Sequence, residues 1–211
     1  RQFLTNMNRN CTVQPVGTFD SIFFHMLQKL INIYKFGAER RKRKMDIKKT
    51  IERKRILIVD DEQDVLDSLV ELLDICRIDT ARSFDEGKRL MEENDYDVAI
   101  LDIMGVDGFN LLKIAHHRDI PALMLTAHAL SEESLKQSAE EGASYYAPKD
   151  EIERIDLFVA DIIEAREKKK NVWVKWFERL GSYYDSRFTG PNWREKDKAF
   201  WDKKLKEMTY L

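Results

Sequence analysis

Four short apolar runs, each closed by polar residues, constrain this chain more than any other feature. Ile56-Leu57-Ile58-Val59 ends in Asp60-Asp61, and Val98-Ala99-Ile100-Leu101 ends in Asp102. Pro121-Ala122-Leu123-Met124-Leu125 ends in Thr126, and Ser144-Tyr145-Tyr146-Ala147 leads through Pro148 to Lys149. Runs this short and this continuously apolar read as strands buried on both faces, which implies a parallel sheet. Helical patterns separate them. Val65, Leu66, Leu69, Val70, Leu72 and Leu73 form one stripe, and Leu111, Leu112, Ile114 and Ala115 another, after Gly108. Ser83 with Glu86 marks a helix start that continues through Leu90-Met91. Leu130, Leu135 and Ala139 make a thin stripe ended by Gly142, which suits an element able to shift, or a plain surface helix. Ile152, Ile155, Phe158, Val159, Ile162 and Ile163 form the last helix of the repeat. With Asp79-Thr80-Ala81 as a further strand, the alternation predicts an α/β fold: a doubly wound, five-stranded parallel sheet.

In such a sheet, ligand chemistry gathers at the carboxyl ends of the strands. Asp60, Asp61, Asp102, Thr126 and Lys149 therefore fall on one edge. Three carboxylates in one crevice repel, so a cation is needed among them. Oxygen ligands without His or Cys suit a hard ion such as Mg2+. A metal beside a carboxylate is a phosphoryl-transfer arrangement, with Asp102 as nucleophile forming an aspartyl phosphate. Lys149 supplies an ammonium, Thr126 a hydroxyl, and the small Ala127 leaves the line of attack open. Taken alone, Asp60-Asp61 reads more readily as the acidic start of a helix. The five residues in order, at the ends of four strands, point to the site.

Residues 55–167 resemble the receiver domain of bacterial two-component response regulators, a flavodoxin-like fold. The resemblance rests on ILIVDDE at 56–62, AILDIMGVDGFNLL at 99–112, LMLTAHA at 123–129 and SYYAPK at 144–149. It implies that Asp102 is the phosphoacceptor and that Asp60, Asp61, Asp102 and the backbone carbonyl of Met104 hold Mg2+. It implies that Thr126 is the switch hydroxyl, Lys149 the phosphate-pairing lysine and Tyr146 the aromatic that moves inward on activation. Two departures stand out. The loop Ile103-Met104-Gly105-Val106-Asp107-Gly108 is about two residues short of the family pattern and has Gly105 in place of a proline. Pro148 precedes Lys149, where the family has a proline after the lysine. A haloacid-dehalogenase-like phosphatase would want a second Asp two residues after Asp102, where Met104 stands.

The net charge of −2 conceals a strong asymmetry: 1–55 carries +10, 56–167 carries −18 and 168–211 carries +6. Residues 1–54 form a basic extension. Its run Phe19–Phe36 is too short and too polar to span a bilayer, and the segment lacks the cleavage pattern of a secretory signal. Arg40-Arg41-Lys42-Arg43-Lys44 then leads to Met45. Residues 1–44 read either as sequence upstream of a natural start at Met45 or as an amphipathic helix with a polybasic flank lying on an anionic membrane.

Residues 168–211 hold all four tryptophans: Trp173, Trp176, Trp193 and Trp201. Trp173, Trp176, Phe177, Leu180 and Tyr184 share a helical face, with a stop at Gly181 and a break at Gly190-Pro191. Trp193, Phe200, Trp201, Leu205 and Met208 make a second stripe, so the expectation is a C-terminal helical extension shaped as a hairpin. So short a segment cannot bury these stripes alone and must pack on the receiver, a second copy or a partner. His116-His117 make a poor chelate because adjacent helical residues diverge, and His128 lies near the presumed site. Cys11 and Cys76, the latter expected on an apolar helix face, support no disulfide framework and fit a reducing cytoplasm.

The expected function is a phosphorylation-dependent switch rather than a metabolic enzyme. A histidine kinase or phosphotransfer protein donates, and a downstream protein or a second copy receives the signal. Membrane and nucleic acid are not expected partners. A phosphorylation-independent pseudo-receiver, and a DNA-binding regulator acting through the basic tail at Lys203, Lys204 and Lys206, stand as alternatives.

Overall fold

A computed structural model describes residues 18–127, 131–188 and 193–207 of the chain. Contacts divide the chain into two units, 1–45 and 46–211. Helix α1 (Thr18–Ile51) begins in the first and ends in the second, where Ile51 is buried. No helix among the described residues is long and apolar enough to cross a membrane.

The second unit is built on β1 (Arg55–Val59), β2 (Arg77–Ala81), β3 (Val98–Asp102), β4 (Ala122–Thr126) and β5 (Tyr145–Pro148). They form one parallel sheet in the order β2-β1-β3-β4-β5. Every residue of β3, β4 and β5 is buried, so these strands have no polar side to alternate with. Strand β2 lies at an edge and exposes Arg77 and Thr80, which accounts for its faint signal in the sequence. Its Asp79 is held by Arg55 at 2.7 Å and by the Tyr96 hydroxyl, which donates at 2.9 Å.

The connecting helices are α2 (Gln63–Leu72), α3 (Phe84–Glu93), α4 (Gly108–His117), α5 (Glu132–Glu140) and α6 (Ile155–Glu167). Helix α2 packs with α6, and α3 with α4. Ser83 caps α3 by accepting the Glu86 amide at 3.3 Å, while the Glu86 carboxylate reaches back to the Arg82 amide. Helix α5 closes at Gly142, whose φ of +95° follows the last turn.

Three expectations are corrected. Cys76 lies in the turn before β2, not on a helix face, because α2 ends at Leu72; its thiol donates to the Ile51 carbonyl. Ile152 belongs to a separate 3-10 turn, Lys149–Arg154, because Glu151 departs from helical angles. Gly181 does not stop its helix: α7 runs through it from Val172 to Arg187. Burial of Trp176, Leu180 and Tyr184 on either side outweighs the roughly 1 kcal/mol helix penalty of a glycine. His128, Leu130, Gly190-Pro191, Met208 and Cys11 lie outside the described residues.

The tail continues with α8 (Trp193–Lys196) and α9 (Lys198–Lys206). It packs on the receiver, and its four tryptophans are all buried. Trp173 meets Trp201 at 5.8 Å between ring centroids, and Trp176 stacks on Tyr184 at 5.1 Å. Asn171 ties the two ends of this cluster together. Its side-chain oxygen caps α7 through the Trp173 amide at 2.8 Å, and its amide nitrogen donates to the carbonyls of Lys204 and Glu207.

Candidate functional site

The chain leaves β1 for β2 on one side and reaches β3 on the other, so a crevice opens between the carboxyl ends of β1 and β3. Asp60 follows the last residue of β1 and Asp102 is the last residue of β3. Both are nearly fully buried, at 1% and 4% exposure, whereas Asp61 faces solvent. The three carboxylates each bring an oxygen to within 4.8 Å of the others.

Lys149 reaches into this cluster from the end of β5. Its Nζ lies 2.8 Å from Asp60 Oδ2, 3.2 Å from Asp102 Oδ1 and 2.7 Å from Glu62 Oε1. The placement of Pro148 before the lysine therefore does not divert the ammonium from the phosphoacceptor candidate. Asp60 Oδ1 accepts the Glu62 amide at 3.0 Å. Burial pushes the Asp60 and Asp102 carboxyls above their ordinary range, against the pull of the ammonium. Burial also opposes the charge on Lys149, but hydrogen bonds to Asp60 and Glu62 and the attraction of Asp102 outweigh it and raise its pKa. The chain thus supplies one cation to its own acid cluster. Glu62 stands in the ILIVDDE motif without a role read from the sequence, and the structure gives it one: it holds Lys149 from the solvent side.

Met104, Gly105, Ala127, Asp61, Glu62, Asp102 and Lys149 line a cleft of about 180 Å3 above the acids. The shortened loop after β3 is tightly turned. The Met104 carbonyl accepts the backbone amides of Val106 and Asp107, so this oxygen is engaged within the loop. Gly105 adopts φ +20°, and a Cβ there would overlap the Asp61 carboxylate. That contact is why a glycine stands at this point of the short loop. Arg82 donates to the Asp61 carbonyl at 3.0 Å and steadies the acidic pair from the β2 side. An oxygen-only donor set with two buried carboxylates suits a hard divalent cation, with Asp60, Asp61 and Asp102 as its ligands.

Thr126 ends β4, fully buried and in register with Pro148, between the strands that carry Asp102 and Lys149. Tyr146 is fully buried as well, and its neighbours include residues of the tail. Its ring lies 5.9 Å from that of Tyr184, and its carbonyl accepts the Trp176 indole N–H at 2.6 Å. The cleft therefore gathers the acids and Lys149, while Tyr146 sits against α7. Aromatic spacing in the tail signalled a packed helix but not its seat on β5. His116 and His117 are exposed at the end of α4 and join no metal-ligating cluster among the described residues.

The response regulator receiver domain family matches residues 56–160. A two-component response regulator of Arabidopsis thaliana, ARR18, is 37% identical over 81 residues, which is 36% of this chain and 13% of that protein. Among solved structures, a CheY-like receiver domain protein from Methanospirillum hungatei JF-1 is 30% identical, covering 53% of this chain and 97% of its own at a TM-score of 0.46. A receiver domain protein from Clostridium thermocellum is 27% identical, covering 54% and 97% at a TM-score of 0.49. Through residues 56–160 the chain belongs to the response regulator receiver domain family, and its role is in two-component signalling.

Proposed function

We propose that the chain is a phosphorylation-dependent switch that accepts a phosphoryl group on Asp102. The donor is a phosphohistidine of a sensor kinase or phosphotransfer protein. An Asp102 carboxylate oxygen forms the new P–O bond while the P–N bond to the donor histidine breaks, leaving an acyl phosphate and a neutral imidazole. Burial holds Asp102 at the floor of the cleft, and the small Ala127 keeps its rim open. Lys149, already 3.2 Å from Asp102, neutralises charge as phosphoryl oxygens arrive. Thr126 offers its hydroxyl to one of them. Mg2+, when bound by Asp60, Asp61 and Asp102, supplies the remaining positive charge and orients the phosphoryl group. The chain is then a switch that assists its own phosphorylation, not a metabolic enzyme.

The observation that carries this reading is the convergence of Lys149 on Asp60 and Asp102 in the crevice. The relay runs toward β5, because Tyr146 contacts Trp176 and Tyr184 of the tail rather than solvent. A downstream protein would read that face together with the tail, and a second copy of the chain is a further candidate reader.

Intact mass after incubation with Mg2+ and acetyl phosphate tests the reading. The wild type should gain one phosphoryl group, and Asp102→Asn, or omission of Mg2+, should abolish the gain. One observation favours a second reading, a pseudo-receiver: the short loop engages the Met104 carbonyl within itself. Failure of folded protein to label with acetyl phosphate and with phosphoramidate would select it. DNA binding through the tail gains less support. Trp173, Trp176, Trp193 and Trp201 are all buried, which leaves no tryptophan face for bases to stack on.

A further inference from the structure

The switch does not use helix α1, yet α1 combines a basic run with an exposed apolar surface. Arg40, Arg41, Lys42, Arg43 and Lys44 are all exposed. Within residues 18–45 the acids are Asp20 and Glu39, against those five basic residues, Lys29 and Lys35. Upstream of the run, Met26 is 58% exposed, Ile31 40% and Tyr34 73%. By helical register, Met26, Ile31 and Tyr34 lie on one side of α1. His25, Gln28, Lys29, Asn32 and Lys35 lie on the other, so the apolar arc spans roughly 140° of the circumference.

We infer that α1 is an interfacial membrane helix: residues 18–36 lie in the surface of an anionic lipid bilayer, and Arg40–Lys44 bind its headgroups. An acidic bilayer surface offers an apolar boundary for the arc and negative charge for the basic run at the same depth. Nucleic acid would match the basic run but leave Met26, Ile31 and Tyr34 in water. A second copy would cover the arc, but a two-helix seam is narrower than this arc, and parallel pairing would set two basic runs side by side. The sequence excludes a bilayer span, because the segment is too short and polar, and leaves an amphipathic helix on an anionic membrane as one of two readings of residues 1–44. A helix lying in the interface needs no span.

Flotation of the full chain with phosphatidylcholine vesicles, with and without phosphatidylglycerol, tests this inference. Binding should need the anionic lipid and fall with added salt. Each charge reversal in Arg40→Glu, Arg41→Glu and Lys42→Glu should weaken it by about fivefold or more. Ile31→Asp with Tyr34→Asp should abolish it with the basic run intact. These positions are exposed, and an unchanged melting temperature should confirm that the variants stay folded. Absence of flotation with the anionic vesicles would overturn the inference, as would binding that survives Ile31→Asp with Tyr34→Asp. So would a dimer in light scattering, or retention by nucleic acid, in protein that does not float.

Discussion

The indole N–H of Trp176, on α7, donates to the backbone carbonyl of Tyr146, on β5, at 2.6 Å. Strand β5 is an edge of the sheet, where carbonyls lack a neighbouring strand. The tail satisfies one of them and covers the strand with the Trp176 and Tyr184 rings, which stack at 5.1 Å. The tail is thereby part of the receiver's core rather than a pendant.

Trp176→Phe should keep most of the apolar contact but leave the Tyr146 carbonyl buried without this donor. The cost should be about 1–3 kcal/mol, read as a lower urea midpoint with an unchanged slope. Trp176→Ala adds a cavity and should cost about 3–5 kcal/mol. If Trp176→Phe left the midpoint unchanged, the bond would be incidental to the tail's docking.

A second link joins tail and receiver. Arg179 on α7 forks onto Asp161 on α6, with bonds of 2.9 and 3.2 Å, and Asp161 is only 6% exposed. Hydrogen bonding to Asp161 raises the Arg179 pKa further above neutrality, so replacing Arg179 removes a fixed charge. Arg179→Met would strand a buried carboxylate and should destabilise by up to about 3 kcal/mol. Asp161→Asn combined with Arg179→Met should recover most of that loss. Failure of the double variant to recover, in a thermodynamic cycle of urea melts, would show that the guanidinium acts through packing instead.

The strands were legible because β1, β3, β4 and β5 are buried on both faces and so read as unbroken apolar runs. The acids and Lys149 were legible because each ends or follows a strand whose end is fixed by the sheet. Glu62 was not, since its value depends on where Lys149 arrives 87 positions later, at 2.7 Å. The course of α7 through Gly181 was equally hidden. A glycine looks like a stop locally, and only tertiary burial of Trp176, Leu180 and Tyr184 reverses that. The placement of Cys76 failed for a simpler reason: the apolar stripe of α2 continues in sequence past Leu72, where the backbone has already turned.

Cys76 should react slowly. Burial pushes its thiol up to about 11, and Asp74 and Asp97 add to the effect. Against a free cysteine near 8.5, the thiolate fraction at pH 8 should fall on the order of a hundredfold. With Cys11→Ser in place to remove the other cysteine, iodoacetamide labelling at pH 8 should be correspondingly slow. It should recover to a free-thiol rate in denaturant. Labelling at the free rate in the folded protein would show that the turn before β2 opens readily.

Gly105 bears on metal binding through Asp61. The loop after β3 is short, and Gly105 meets its tight turn with φ +20°. A methyl group at that position would land on the Asp61 carboxylate, which faces the cleft with Asp102 and Lys149. Because Asp61 is exposed, it can swing away at little cost to the fold, but it would then leave the other two acids. Gly105→Ala should therefore weaken Mg2+ binding about tenfold or more while lowering the melting temperature little beyond the strain of a side chain at positive φ. Asp61→Ala removes the carboxylate itself and should weaken binding at least as much. Calorimetric Mg2+ titration of the wild type and both variants measures this directly. Equal affinity in wild type and Gly105→Ala, with Asp61→Ala weakened, would mean that Asp61 binds the ion from a position that the short loop does not control.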